Sequence, residues 1–356
     1  MDFKKIGVLT SGGDAPGMNA VVRAVTRAAN AAGVETVGIY EGYQGLMDGN
    51  LVKLTPSDVS NVMSKGGTML YTARAVEFKE ESGMQKALKT CKEQHIDGII
   101  AIGGDGTFRG ATDLSAHGIP TIGLTGTIDN DITATDYTVG FDTAMNTVVE
   151  CVDRLRDTCE SHARCSVVEV MGRHAGYIAL QAGIATGAIG IVIGEVPFDE
   201  EAMIKRINSS KNAGRRSFVV LVAEGVQDAE GKPFGEGLTK RIEAATGVES
   251  RFVRLAHIVR GGSPTLRDRL AASLMGEAAV KLLLEGKSNI VVCERNAKIV
   301  TFEINFALAL DRMYKNKLKP GDLDRFSASE IREMEVLAEL RRREILDMYN
   351  AALSLM

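Results

Sequence analysis

The segment LTGTIDND, residues 124–131, places two aspartates within three residues, directly after an apolar run typical of a buried strand. Carboxylates this close repel each other, and both would repel an anionic ligand. Acid–base catalysis and metal binding are the chemistries that use carboxylates in a loop of this kind. Asp129 and Asp131 therefore mark this loop as a place to look for chemistry rather than for simple anion binding.

Two glycine-bearing loops also follow strand-like runs in the first third of the sequence. The first, LTSGGDAPGMNA, carries Gly13 ahead of a helical pattern, and backbone N–H groups at a helix N-terminus bind anions. In the second, AIGGDGTFRGA, glycines would let a triphosphate approach the backbone, and Asp105 could hold Mg²⁺ directly or through water. A turn without a ligand remains an alternative for the first loop. GGDGT alone also resembles loops of NAD kinases and diacylglycerol kinases, and neither G-x-x-x-x-G-K-[ST] nor G-x-G-x-x-G supplies a phosphate signature.

Arginines cluster in the second half, around other strand-like runs. Arg164 precedes SVVEV, MGR follows it, and ESRFVRLAHIVRGGSP carries several more cations. Arginine forks match phosphate geometry bidentately, so these loops could hold a sugar phosphate. Each arginine alone is more simply a surface charge, and the hypothesis depends on their joint placement.

The elements that must position these residues are short β-branched strands alternating with helices. Runs without polar alternation are typical of parallel strands buried on both faces. The pattern predicts doubly wound α/β layers, in which ligands bind at the carboxyl ends of the strands. Strands are predicted at 6–9, 36–40, 98–102, 120–124, 166–170, 190–194, 218–224 and 289–294, with helices at 18–33 and 142–158, the latter beginning at a possible Asp142 cap.

Composition restricts the class of protein. A chain of 356 residues suggests two domains, and a net charge of -4 argues against a general nucleic-acid or anionic-membrane binder. We expect a cytoplasmic protein, because no apolar run is long enough to span a membrane and the first residues lack a signal-peptide core. Five cysteines without a C-x-x-C spacing predict reduced, mostly buried thiols. Residues 327–355 predict a charged amphipathic helix opened by a Ser327–Glu330 capping box, packed on its own domain or against another subunit.

Taken together, the motifs IGVLTSGGDAPGMNA, GGDGT, GTIDND, VVEVMGR, HAG and RGGSP resemble the phosphofructokinase family in order and spacing over residues 3–310. The resemblance implies Mg²⁺-dependent transfer of the ATP γ-phosphoryl group to O1 of fructose 6-phosphate, a step of glycolysis. It also implies two doubly wound α/β domains with chain crossovers, with the active site in the cleft between them. The expected division is 1–140 plus about 258–308, 141–257 plus about 309–325, and a C-terminal helical extension, 326–356.

The resemblance also implies roles for individual residues. Asp129 would accept the proton of the sugar 1-hydroxyl, with Thr127 orienting the reacting groups and Asp131 in support. Two arginines would reach the sugar-phosphate site from a neighbouring subunit, so a homotetramer is expected. The sugar-phosphate residues are Met171, Gly172, Arg173, Glu224, His257 and Arg260, with Arg164 and Arg251 from the neighbour; the ATP–Mg²⁺ residues are Gly13, Arg74, Ala75, Gly104, Asp105, Gly106 and Thr107.

Glycines at positions 106 and 126 favour ATP over pyrophosphate as the donor, because pyrophosphate-using relatives have Asp and Lys there. A pyrophosphate-dependent enzyme and a non-catalytic sugar-phosphate or nucleotide sensor remain alternatives. Thr125 stands where the family has proline, and Ala75 stands where an aromatic residue often packs on adenine. Other nucleoside triphosphates are therefore possible donors.

A possible effector site is implied by Arg23, Arg27 and Arg156, which match basic residues that hold ADP or phosphoenolpyruvate in bacterial relatives. Ile189 and Ala213 replace an expected acid and an expected lysine, and residues 226–237 are an insertion. We therefore expect weakened or altered effector responses.

Overall fold

The computed structural model describes residues 3–356 of the chain. Contacts divide these residues into two compact units, and the chain passes between them several times. Unit 1 comprises residues up to Ile128, Ile132–Thr143 and Arg260–Glu339, and unit 2 comprises Asp129–Asp131, Ala144–Val259 and Leu340–Met356.

Unit 1 contains a sheet of seven strands among the described residues, in the order β11-β10-β5-β4-β1-β2-β3. The strands from β10 to β2 are mutually parallel, and β3 and β11 are added antiparallel at the two edges. Because the strand order reverses at β1, the loops after β1 and β4 diverge from one point, where doubly wound sheets bind ligands. The strands are β1 Lys5–Thr10, β2 Glu35–Ile39, β3 Leu51–Leu54, β4 Gly98–Gly103, β5 Thr121–Thr125, β10 Ile290–Arg295 and β11 Lys298–Glu303.

Helices of unit 1 cover this sheet with small residues at their closest contacts. A Cβ on Gly276 of α9 would lie 2.7 Å from Ala24 Cβ of α1, so glycine at 276 allows the two helices to pack closely. The helices are α1 Met18–Ala31, α2 Tyr43–Asp48, α3 Glu81–Glu93, α4 Asp105–Ala116, α9 Leu266–Leu284 and α10 Ile304–Tyr314.

Unit 2 contains a four-stranded, fully parallel sheet in the order β7-β8-β6-β9. Strands β6 and β8 are buried at every residue, which explains the unbroken apolar sequence of β8 and the mostly apolar sequence of β6. The elements are α5 Phe141–His162, β6 Cys165–Val170, α6 Tyr177–Ala185, β7 Gly190–Val192, α7 Glu200–Asn212, β8 Phe218–Ala223, α8 Phe234–Thr246, β9 Ser250–Arg254 and α11 Ala328–Leu355. The first residues of α5 and of α11 belong to unit 1, and the rest of each helix belongs to unit 2.

The structure confirms the predicted α/β class but adds three strands that the sequence pattern did not reveal. β3, β9 and β11 lie at sheet edges, where partial exposure allows polar residues and weakens the apolar signal. Helix α5 begins at Phe141, so Asp142 lies in its first turn and is not the cap. The contact-based division also differs from the predicted domains, since residues 309–325 belong to unit 1 and the C-terminal helix is shared between the units.

Other local predictions are confirmed. Gly33 follows α1 with a left-handed φ of 76°, as a C′ glycine does. At the start of α11, Ser327 N–H donates to Glu330 Oε2 at 2.8 Å and Glu330 N–H donates to Ser327 Oγ at 3.3 Å, which is the predicted capping box. Four of the five cysteines are buried and none forms a disulfide.

Within the described residues, every helix is too short or too polar to span a lipid bilayer.

Candidate functional site

Three loops of unit 1 leave the sheet at the same edge, because β1, β4 and β5 are parallel neighbours. Thr107 Oγ1 donates to Ser11 O at 3.0 Å, which joins the first glycine loop to the second. Gly126 N–H donates to Gly103 O at 2.9 Å, which joins the second loop to the segment that carries Thr127. The predicted nucleotide residues of these loops therefore lie together within one unit.

The glycines of these loops serve different purposes. A Cβ on Gly103 would lie 2.2 Å from Thr107 Oγ1, and one on Gly13 would lie 2.2 Å from Arg260 Nη1, so both glycines permit close approach. Among the described residues, a Cβ on Gly106 would meet no atom within 4 Å, and one on Gly104 would reach Thr127 Cβ at 4.0 Å. Gly106 therefore borders open space, as a ligand-facing position would.

Asp105 is the first residue of α4 and the acidic group of the second loop. Its carboxylate pairs with Arg109 Nη2 at 2.7 Å, and about a third of its side chain (34%) is exposed. Mg²⁺ is commonly held by one or two carboxylates together with substrate phosphates and water. The partly exposed Asp105 carboxylate, at the start of the helix that follows a glycine loop, fits this pattern.

The segment that carries Arg74 is fastened to the β1 loop. Thr72 Oγ1 donates to Gly12 O at 2.8 Å, and Thr10 Oγ1 donates to Tyr71 O at 2.9 Å. Upstream, Met69 N–H donates to Asn19 Oδ1 at 2.6 Å. Arg74 itself is exposed, and Ala75 packs against the core of unit 1. Asn19 was not among the residues predicted from the sequence, although it lies inside the PGMNA motif.

In unit 2, Asp129 lies beside the loop that follows β6. Its side chain is 2% exposed, and its Oδ2 pairs with Arg173 Nε at 3.2 Å. Arg173 N–H donates to Glu224 Oε1 at 2.9 Å, and Glu224 follows the neighbouring strand β8. The structure thus brings together a buried carboxylate, an exposed arginine and a second carboxylate, all three predicted from the sequence.

The loop after β6 has an unusual backbone. Gly172 has φ 139° and Arg173 has φ 54°, which is left-handed for a non-glycine residue. A Cβ on Gly225 would lie 2.0 Å from Arg173 O, so glycine is needed there for the loop to pack. Gly176 N–H donates to Glu195 Oε1 at 2.8 Å, and burial raises the pKa of the Glu195 carboxyl above its ordinary value. Glu195, which follows β7, is a further positioning residue that the sequence analysis missed.

Arg164 and Arg251 lie away from this cluster within a single chain. Arg164 Nε pairs with Glu249 Oε2 at 2.7 Å, and Arg251 Nη2 pairs with the other oxygen of the same carboxylate. The hydrogen bond from Arg164, with the charges of both arginines, holds the pKa of Glu249 below its ordinary value. Arg164 precedes the six-residue strand β6 and Arg173 follows it, which places their backbones about 20 Å apart.

The remaining predicted residues have definite positions. Met171 is buried, and His257 is exposed in the short 3-10 helix Ala256–Arg260. Arg260 belongs to unit 1, where Nη1 donates to Asp14 O at 3.2 Å. Thr125 ends β5, and its carbonyl accepts from Val139 N–H at 3.1 Å.

The candidate effector residues fall in both units. Arg23 and Arg27 lie on α1 of unit 1, and Arg156 lies on α5 in unit 2, where it donates to the Thr186 carbonyl. Burial and the charge of Arg156 lower the pKa of Arg215, which the sequence analysis did not identify. Ile189 is buried in the core of unit 2.

Glycine loops in one unit, and arginines with a buried carboxylate in the other, all at strand ends of parallel α/β sheets, define a protein that binds phosphorylated ligands. The family model described as phosphofructokinase matches residues 5–283. The chain belongs to the phosphofructokinase family.

Individual relatives agree with this assignment. The chain is 49% identical over 316 residues to ATP-dependent 6-phosphofructokinase 1 of Clostridium perfringens, covering 89% of this chain and 97% of that protein. It is 51% identical over 302 residues to ATP-dependent 6-phosphofructokinase of Bacillus licheniformis, covering 85% and 93%.

Among solved structures, phosphofructokinase from Saccharomyces cerevisiae superposes with a TM-score of 0.86 at 35% identity. That match covers 99% of this chain, which spans half (50%) of the yeast chain. A pyrophosphate-dependent phosphofructokinase from Marinobacter aquaeolei shares the fold, with a TM-score of 0.75 at 21% identity over 85% of this chain and 83% of that one.

Proposed function

We propose that this chain is an ATP-dependent 6-phosphofructokinase that converts fructose 6-phosphate and ATP into fructose 1,6-bisphosphate and ADP. One observation carries the proposal: the buried Asp129 carboxylate lies 3.2 Å from the guanidinium of Arg173. A base for a neutral hydroxyl and a cation for a phosphate are both needed to phosphorylate a sugar phosphate. Two relatives that are 49% and 51% identical to this chain are named ATP-dependent 6-phosphofructokinase, which supports the same activity.

In the proposed reaction, O1 of the sugar attacks the γ-phosphorus as its proton passes to Asp129. The new O1–P bond forms while the bond from phosphorus to the β-phosphate oxygen breaks, and ADP leaves with that electron pair. Thr127 orients the reacting groups, Asp131 supports the loop, and Arg74 and Arg173 stabilise charge on the transferring phosphoryl group. Met171, Gly172, Glu224, His257 and Arg260 would bind the sugar phosphate.

Asp105 would hold the magnesium of the nucleotide complex, and Gly13, Ala75, Gly104, Gly106 and Thr107 would line the nucleotide. When bound, Mg²⁺ neutralises charge on the β- and γ-phosphates. The Asp105 carboxylate, with Arg109 as its partner, is the hard oxygen donor that this ion prefers.

ATP is the proposed donor because position 106 borders open space, so a larger side chain there would occupy room that a nucleotide needs. Gly126 is packed differently, since a Cβ there would lie 3.0 Å from Ile102 Cγ2. A larger residue at 126 would therefore require the loop to shift, whereas one at 106 would only fill space.

The sugar-phosphate site would be shared between subunits of a homotetramer. Arg164 and Arg251 are paired with Glu249 near the amino ends of β6 and β9, whereas Arg173 follows the carboxyl end of β6. Strand length keeps these groups apart within one chain. If Arg164, Arg173 and Arg251 all bind one phosphate, Arg164 and Arg251 must come from another copy of the chain.

Effector responses would be weakened or altered in this chain. Arg23, Arg27 and Arg156 provide cations, but Ile189 is an apolar core residue where an acidic, metal-linked residue is expected. Clear activation by ADP and inhibition by phosphoenolpyruvate would contradict this expectation.

The proposed function is tested by a donor comparison. Purified enzyme with fructose 6-phosphate and Mg²⁺ should form fructose 1,6-bisphosphate with ATP and far more slowly with pyrophosphate. Turnover with pyrophosphate alone would favour the pyrophosphate-dependent alternative. Binding of both substrates without turnover would favour the sensor alternative.

A further inference from the structure

The C-terminal helix α11 lies beyond residues 5–283, the part of the chain that the family model matches. From Leu340 onward the helix belongs to unit 2, and its residues Ile345, Tyr349 and Ala352 are buried. Tyr349 Oη donates to Ile191 O of β7 at 3.3 Å. This half of the helix is thus an integral part of unit 2 rather than a projecting tail.

Arg341 is the residue of α11 with the most unusual surroundings. Its side chain is only 5% exposed, although arginine is almost never buried unless it is paired. Its guanidinium carbon lies 4.3 Å from the centre of the Tyr177 ring, and Nη1 pairs with Glu344 Oε2 at 2.9 Å. Nη2 donates to Asn130 O at 3.4 Å.

Asn130 is the residue between the two aspartates of the GTIDND motif. It is 2% exposed and has a left-handed φ of 49°, a conformation uncommon for non-glycine residues that asparagine adopts more readily than most. Its carbonyl belongs to the peptide plane that joins it to Asp131. A donor on this carbonyl therefore restrains the orientation of the peptide that leads into Asp131, and with it the turn between the two aspartates.

Tyr177, the aromatic partner of Arg341, begins α6 directly after the loop that carries Arg173. One guanidinium thus contacts the carboxylate loop and the first residue beyond the arginine loop. These are the two segments that meet in the Asp129–Arg173 ion pair.

We propose that Arg341 is a positioning residue for the Asp129–Asp131 loop, so that the C-terminal helix is part of the catalytic apparatus. This inference rests on the proposed function, because Asp129 is the base of that reaction. Arg341 acts on the reaction through Asn130, the residue between the two aspartates. Its loss should therefore lower kcat while leaving the binding of both substrates nearly unchanged.

The test compares Arg341→Met with Arg332→Met in the full-length enzyme, since Arg332 lies on the same helix and is exposed. At equal concentrations of folded protein, Arg341→Met should lower kcat by about 10- to 100-fold, the scale of a misplacement of about 1 Å, with both KM values within about threefold of the original. Arg332→Met should stay within about twofold. Added guanidinium ion should restore part of the activity of an Arg341→Ala variant.

Glu344→Gln provides a second test of the same inference if the Arg341 variants fold poorly. Glu344 is half exposed and pairs with Arg341, so neutralising it should loosen the guanidinium without removing buried side-chain volume. We expect a several-fold loss of kcat. An unchanged kcat in both Arg341→Met and Glu344→Gln, or an equal loss in Arg332→Met, would overturn the inference. A wild-type enzyme that cannot phosphorylate fructose 6-phosphate would instead overturn the proposed function.

Discussion

Asp129 illustrates how one side chain can be both buried and charged. Its carboxylate is almost inaccessible, and Arg173 offsets the cost of removing a negative charge from water. The pair also suits the proposed reaction, because the arginine can move onto an incoming phosphate and leave the carboxylate facing a hydroxyl. Asp129 would repel the anionic phosphate of the ligand, and Arg173 would offset that repulsion.

Replacing this carboxylate should mainly affect the chemical step. Asp129→Asn keeps the shape of the side chain but removes the base, so kcat should fall by about 10²- to 10⁴-fold with little change in either KM. Steady-state kinetics with ATP and fructose 6-phosphate measure this. A rise in KM at normal kcat would instead assign Asp129 to substrate binding.

Gly106 and Gly103 allow a matched test of donor space. Gly106→Asp should raise the KM for ATP at least about tenfold, because a carboxylate would enter the space proposed for the nucleotide and repel its phosphates. Stability should be unchanged or slightly higher, since an acidic residue suits the first turn of a helix. Gly103→Ala should instead mainly lower stability, by about 1–3 kcal/mol, because the added methyl group would clash with Thr107 Oγ1. Thermal melts and nucleotide titrations separate the two effects, and equal KM changes in both variants would contradict the argument.

At the scale of elements, α9 fixes the turn that leads into α5. Asp268 of α9 is fully buried, and its two oxygens accept from Gly140 N–H at 2.6 Å and Thr143 N–H at 2.9 Å. The hydroxyls of Tyr137 and Thr143 also donate to this carboxylate. One buried acid thus receives four donors from a segment more than a hundred residues earlier in the sequence.

Asp268→Asn should destabilise this arrangement. The amide would direct an N–H₂ group at donors that need an acceptor, at a cost of about 1–3 kcal/mol. Urea unfolding should show a lower midpoint than the original, whereas Glu277→Gln, an exposed change on the same helix, should leave the midpoint where it is. Equal midpoints for the two variants would mean that the carboxylate is dispensable.

At the scale of the whole molecule, the separation of Arg251 from Arg173 has a consequence for assembly. Asp129→Asn and Arg251→Ala subunits should each be nearly inactive alone. Mixed and reassembled together, they should regain roughly a quarter of the original activity, because some shared sites would combine an intact Asp129 with an intact Arg251 from the neighbour. Activity assays after co-refolding, with native mass spectrometry to confirm mixed assemblies, measure this. Failure of confirmed mixed assemblies to regain activity would place each site within a single chain.

The sequence by itself determined the α/β class and most of the buried strands, and it supplied the residues proposed for the site. Those features are local: apolar runs identify buried strands, glycine loops follow them, and GTIDND places its aspartates at a strand end. Edge strands such as β3 and β11 were missed, because half-exposed residues do not carry the same signal.

Tertiary structure alone decided which distant residues meet. Nothing in the local sequence around Arg341 indicates that it donates a hydrogen bond to Asn130, 211 positions earlier. Nor does the sequence around Glu195 indicate that its carboxylate accepts a hydrogen bond from Gly176 N–H. Such contacts depend on the order of strands in a sheet and on where a helix packs, and both follow from burial summed over the whole chain. The two aspartates of the opening segment could therefore be found by reading the sequence, whereas the residues that hold them in place could be found only in the folded structure.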